Sequence, residues 1–264
     1  MGDTSELCES RLMNERIQLA QRETWMNKPV LRAIYSDFYR RIVDQCRPGC
    51  TLEVGGGSGN LKEFVNNVIS TDIVSAPWLD AAADAQALPF ASESFANIVA
   101  VDVLHHIERP TRFLSETQRV LQLGGRLILL EPAITPISYL FYRLFHPEPV
   151  VMGADPLADG PRNTNRKPFD ANQAIPTLLF SRDRTRLENA FPLLQITHFE
   201  QLSLIAYPLS GGFRGWSLIP ACSVGFLLRI EDALAPLLGK FIAFRLLAVM
   251  EKVGQVPVLG RPCA

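Results

Sequence analysis

The sequence predicts an α/β fold: a doubly wound, mainly parallel sheet preceded by a helical segment. Three observations predict it. Short apolar runs alternate with amphipathic stretches between residues 50 and 132. The first run ends in a glycine-rich turn, "TLEVGGGSGN" at 51–60. Ahead of it, residues 11–46 carry three- and four-residue spacing of apolar side chains, with Leu31, Ile34, Tyr35, Phe38 and Ile42 on one face.

The elements follow in order. Pro29 divides the N-terminal segment into two helices, because proline is tolerated only in a helix's first turn. The strand candidates are "CTLEV" (50–54), "NVISTDI" (67–73), a weak "LDAAA" (79–83), "ANIVAVDVL" (96–104) and "GRLILLEP" (125–132). A helix is expected over "NLKEFVNN", between the first two. Another is expected within "RPTRFLSETQRVLQLGG", where Phe113, Leu114, Val120 and Leu121 share a face. Strand and helix in alternation imply parallel strands joined by right-handed crossovers, with ligands bound beyond the strands' carboxyl ends. Beyond residue 132, prolines break regular structure, and "GADPLADGPRNTNRKP" reads as a polar loop before a second apolar region at about 200–250. The expected division is a helical lid (1–45), a binding core (46–132) and a remainder (133–264) that completes the sheet and faces the substrate.

The chain of 264 residues has a net charge of −1 and no block of like charge, which gives no footprint for nucleic acid. Cys8, Cys46, Cys50, Cys222 and Cys263 are scattered and never spaced C-x-x-C, so no disulfide framework and no metal site is expected. The N-terminus lacks a signal-peptide pattern, and the cytoplasm is the expected location.

A strand running directly into glycines brings backbone close to a ligand. The dinucleotide fingerprint needs a third glycine where Asn60 or Lys62 stands, which disfavours an NAD-dependent oxidoreductase. No Gly-Lys-Ser/Thr follows either, so the P-loop fails. What fits is Glu53-x-Gly55-x-Gly57-x-Gly59, which resembles motif I of the class I S-adenosylmethionine-dependent methyltransferases, of the type 11 kind. A carboxylate beside the loop suits a cofactor that carries a cationic sulfonium and ammonium.

The resemblance extends through residues 45–132 in five ordered segments, and implies a Rossmann-like, seven-stranded sheet. Asp72 closes the second run, where the family's carboxylate accepts from ribose hydroxyls; as a bare residue it could equally cap a helix. "DAQALPF" aligns Asp84 and Ala85 with the family's adenine-contacting pair. "FANIVAVDVLHHIERP" is similar to its fourth strand and places Asp102 at the strand end, with His105 and His106 just beyond. The two histidines are read either as lining the cofactor's methionine pocket or as a substrate-deprotonating base, with His106 the better candidate. "RVLQLGGRLILLEP" matches the helix, turn and fifth strand.

Acceptor contacts are sought in His146, Glu148, Arg162, Asn163, Asn165 and Arg166. Trp25, Arg32, Tyr35, Tyr39 and Arg40 lie in the helical segment that the resemblance makes a lid over the cofactor, and core packing is the expected role of most of them. Residues 216–250 are strongly apolar but interrupted by Arg229, Glu231, Asp232, Lys240 and Arg245, so they do not make a membrane span. They could wall an apolar substrate cavity, form a homodimer interface or lie at a membrane surface. The expected function is methyl transfer from S-adenosylmethionine to a small-molecule acceptor, lipid-like or a lipid-linked glycan. The competing expectation is a non-catalytic relative that binds cofactor or a partner.

Overall fold

The computed structural model describes residues 3–254 except Arg162 and Thr164, with side chains from Met13 onward. Arg162 and Cys263 therefore lie outside the described residues, and Cys8 is described by its backbone alone. Two helices open the chain, α1 (Asp3–Asn27) and α2 (Pro29–Gln45), with Pro29 in the first turn of the second. The strands and helices that follow are β1 (Thr51–Val54), β2 (Val68–Asp72), β3 (Ala81–Ala82), β4 (Phe95–Val101), α3 (Pro110–Val120), β5 (Leu121–Pro132) and α4 (Pro136–Phe145). After a long loop come α5 (Ile175–Thr177), α6 (Arg184–Ala190), β6 (Leu194–Leu202), α7 (Ala206–Ser210), α8 (Val224–Ile242) and β7 (Arg245–Lys252).

The seven strands form one sheet in the order β3-β2-β1-β4-β5-β7-β6. The first five are parallel, and β7 runs antiparallel to both β5 and β6. Side-chain alternation supplies a core on each face. Leu127, Leu129, Leu246, Ala248 and Met250 pack towards α3 and α6, whereas Ile128, Leu130, Leu247 and Val249 pack towards α2.

One expected helix is absent. "NLKEFVNN" forms only a 3-10 turn at Asn60–Glu63, which starts from left-handed Gly59 and stops at Phe64. Too few residues separate the loop from β2 to build the turns an α-helix needs. The fourth strand is shorter than its apolar run, because the chain leaves the sheet at Asp102 with φ 58°.

The apolar region 216–250 divides between two environments. β7 is buried along most of its length, but α8 buries only Val224, Glu231 and Gly239. Its side chains Phe226, Leu237 and Phe241 face outward, as do Leu140, Leu144 and Phe145 of α4. Among the described residues no helix is long and apolar enough to cross a membrane.

Candidate active site

β1 delivers the glycine loop to the carboxyl edge of the parallel strands, where it lines a cavity of about 670 Å³. Each glycine has its own reason. Gly55 (φ 68°) passes so close to Val103 that a Cβ would lie 2.3 Å from it. Gly57 (φ 47°) faces the cavity, and a Cβ there would come no nearer than 3.9 Å to another protein atom. Gly56, which the motif spacing does not require, is required by packing: its Cβ would stand 2.3 Å from the Ser70 hydroxyl and 3.0 Å from the Glu53 carboxylate. Gly59 (φ 73°) does not line the cavity. It lets the Trp78 ring approach, and the Trp78 indole donates to the Gly57 carbonyl at 2.7 Å.

Glu53, Asp72, Asp84 and Ala85 all line the cavity. Burial pushes the Glu53 carboxyl up to about 7, against the hydrogen bond it accepts from Ser70. Asp72 accepts from the backbone N–H groups of Gly57 and Val74, each at 2.9 Å, which ties the loop to the end of β2. Burial raises its pKa despite those bonds. Asp84 accepts from the backbone and side chain of Gln86.

Asp102 also lines the cavity, but its carboxylate is engaged within the protein. Arg245, at the first position of β7, holds both of its oxygens, and the Tyr35 hydroxyl donates to it at 3.0 Å. Burial would raise the Asp102 carboxyl, and the Arg245 guanidinium outweighs it and holds it below the usual range. Arg245 stacks on Tyr207 at 4.3 Å.

The two histidines differ. His105 is buried with Nδ1 2.6 Å from Glu131, whose other oxygen accepts from the backbone of Val103 and Leu104. Burial disfavours its charge, yet Glu131 and Asp102 carry the balance and raise its pKa. His106 is pushed down to about 3 by burial and by His105, and its Nδ1 is buried without a hydrogen-bond partner. His105 Nε2 looks towards Glu148 at 3.7 Å.

The far wall is aromatic and cationic, with Phe141, Tyr207, Phe213, Trp216 and Arg214 among its residues. Lys28 pins this wall: its ammonium, with three N–H groups to share, lies 2.6 to 2.9 Å from the carbonyls of Ser210, Gly212, Arg214 and Trp216. Of the loop and lid candidates, Tyr35, Tyr39, His146, Glu148, Asn163 and Arg166 line the cavity. Trp25 packs in the core and Arg32 pairs with Glu63. Arg40 pairs with Asp37, and Asn165 does not reach the cavity. The sequence by itself does not single out Lys28, Glu131 or Arg245 as functional. For the last two, the one signal it holds is a charge at the end of an otherwise apolar strand.

The residues fit a cationic nucleoside cofactor. Gly57 leaves a cradle that a Cβ would fill, and the buried carboxyl of Glu53 and the half-buried one of Asp72 face the space a cation would enter. Strand order, a reversed seventh strand and a glycine loop opening on the carboxyl edge define a class I methyltransferase fold. Residues 52–129 match the family model described as a methyltransferase domain, so the chain carries a methyltransferase domain of the S-adenosylmethionine-dependent class.

Among solved structures, a SAM-dependent methyltransferase from Thermotoga maritima superposes with a TM-score of 0.53 at 15% identity, covering 92% of this chain and 97% of that one. A SAM-dependent methyltransferase from Archaeoglobus fulgidus gives 0.49 at 14%, covering 84% and 94%. Geranyl diphosphate C-methyltransferase from Streptomyces coelicolor A3(2) gives 0.46 at 14%, covering 83% and 77%. No curated protein sequence matches the chain.

Proposed function

We propose that the chain methylates an amphiphilic acceptor, lipid-like or a glycan on a lipid carrier. The observation that carries this reading is the continuity of one cavity from the glycine loop to an aromatic wall that includes Trp216, itself 42% exposed, while α4 and α8 turn apolar side chains outward. A polar metabolite needs neither surface. Exposed Arg143, Arg229 and Lys240 accompany those apolar side chains, a combination suited to the interface of an anionic bilayer. A homodimer through the same face is the competing outcome.

The bound cofactor supplies a methyl carbon already activated by its sulfonium. The protein's share is positioning and exclusion of water. Glu53 and Asp72 anchor the amino-acid and ribose portions, and Asp84 with Ala85 holds adenine. Gly55 and Gly57 let the backbone approach. Asp102 acts through Arg245 and Tyr35 and shapes the floor. His106, held neutral by burial and by His105, walls the methionine pocket; a nitrogen so reluctant to take a proton is a poor general base.

The test supplies S-adenosylmethionine with acceptors that share one head group and differ in an acyl or prenyl tail. Demethylated cofactor should accumulate with the tailed acceptor. Equal turnover of the tailless one overturns the acceptor class, and failure to bind the cofactor overturns methyl transfer itself. Flotation with anionic vesicles should carry the protein upward; a dimer in solution that ignores vesicles would assign the α8 face to self-association.

A further inference from the structure

We infer that His105, His106 and Glu148 form a binding site for a divalent first-row metal ion of the zinc type, on the acceptor side of the cavity. One ligand atom from each residue lies within 4.8 Å of the other two. His105 Nε2 and Glu148 Oε2 are already 3.7 Å apart. Ligand atoms about 2.1 Å from a tetrahedral ion stand roughly 3.4 Å from one another. The His105–Glu148 pair is therefore within about 0.3 Å of that separation, and the rest of the set closes by up to about 1.4 Å on binding.

The surroundings argue for a metal rather than a chance cluster. Ligating histidines hold their second ring nitrogen in an outer hydrogen bond, which fixes the tautomer and aims the bare nitrogen inward. His105 does this here. His105 Nδ1 sits on Glu131, a carboxylate itself fixed by two backbone N–H groups, so Nε2 is left for the ion. The His106 Nδ1 is buried with no hydrogen-bond partner and is free to ligate. Glu148 has its own support, since the Gln173 amide donates to the Oε2 that faces His105.

The two segments that supply the ligands are fastened together. Asn172 donates its backbone N–H to the His105 carbonyl at 2.9 Å, and Arg166 donates to the His106 carbonyl at 2.8 Å. Gln173 donates to the Pro149 carbonyl at 3.0 Å, beside Glu148. An unpaired buried nitrogen is costly unless something binds it. Two imidazoles and one carboxylate select zinc, cobalt or ferrous iron over magnesium or calcium, which prefer oxygen-only shells. Three protein ligands leave positions open to the cavity. On the methyl-transfer reading, an acceptor oxygen would occupy one of them.

The experiment uses the full chain stripped with chelator and titrated with Zn²⁺ by calorimetry and with Co²⁺ by visible absorption. One equivalent should bind, with Co²⁺ giving the intense d–d bands of a low-coordinate site, and excess Mg²⁺ should not compete. His106→Ala and Glu148→Gln should each weaken Zn²⁺ binding by roughly 100-fold or more, beyond the 10- to 100-fold typical of losing an outer partner. Cys222→Ser, which removes an exposed thiol, should leave the stoichiometry unchanged. Circular dichroism and urea unfolding confirm that each variant is folded, and no readout depends on turnover or on cofactor affinity. Folded wild type that takes up no Zn²⁺, or Zn²⁺ binding that survives both substitutions, overturns the site while leaving methyl transfer standing.

Discussion

The guanidinium of Arg245 grips both carboxylate oxygens of Asp102 and, from the same edge, donates to the Tyr35 hydroxyl at 3.0 Å. This contact joins the start of the antiparallel strand to the point where β4 leaves the sheet, and Asp102 takes positive φ there. Arg245 is 3% exposed, so removing its partner strands a buried charge. Asp102→Ala should cost about 3 to 5 kcal/mol in urea unfolding. Asp102→Asn with Arg245→Met should cost less than the sum of the single changes, since neither charge is then left alone.

The adjacent loop glycines should separate stability from binding. Alanine at Gly56 pushes into Ser70 and Glu53, an overpacking expected to cost about 1 to 3 kcal/mol in thermal or urea melts. At Gly57 the space is open, so Gly57→Ala should cost only the strain of a left-handed alanine, about 1 to 2 kcal/mol. Its larger effect should be on S-adenosylmethionine, whose place the methyl group enters. Calorimetry that finds cofactor affinity untouched by Gly57→Ala would remove this residue from the binding surface.

Asp72 holds the loop and faces the cavity with one side chain. Asp72→Ala should weaken cofactor binding by about 1 to 3 kcal/mol, the worth of hydrogen bonds to a charged group. It should also loosen Gly57 and Val74, whose N–H groups lose their acceptor. Hydrogen exchange at those two amides tests the second effect independently of the ligand. Slow exchange there together with weak binding would mean that Asp72 contacts ribose without organising the loop.

Much of the fold is legible in the amino-acid sequence. β1, β2, β4, β5 and α3 announce themselves by apolar runs of strand length and by an amphipathic face, and Pro29 marks the helix break. β7 does not announce itself. Its run "RLLAVM" is buried on both faces, so it lacks alternation and merges with the apolar end of α8. Nor does the sequence tell which side of α8 faces the sheet, because its apolar residues lie all round. At the site, the glycine loop and Asp72 are readable because they sit in one local pattern. The Arg245–Asp102 pair and the approach of Glu148 to His105 are not, because sheet topology alone brings those distant positions together.

Glu53 should make both stability and binding depend on pH, in opposite directions. Its folded pKa of about 7 lies above the ordinary value of 4.5, so the folded state holds more protons between the two. Its contribution to stability is fully present below about pH 4.5 and is lost as pH rises through about 7, by roughly 3 kcal/mol. Glu53→Gln should flatten this part of the stability curve. The cationic cofactor favours the ionised carboxylate, so its affinity should rise with pH up to about 7, by at most about tenfold per unit, with release of a proton. Calorimetry at pH 6 in two buffers of different ionisation enthalpy measures that proton directly. If the heat is independent of buffer, Glu53 does not change protonation on binding, and its hydrogen bond with Ser70 marks it as a structural support of the loop.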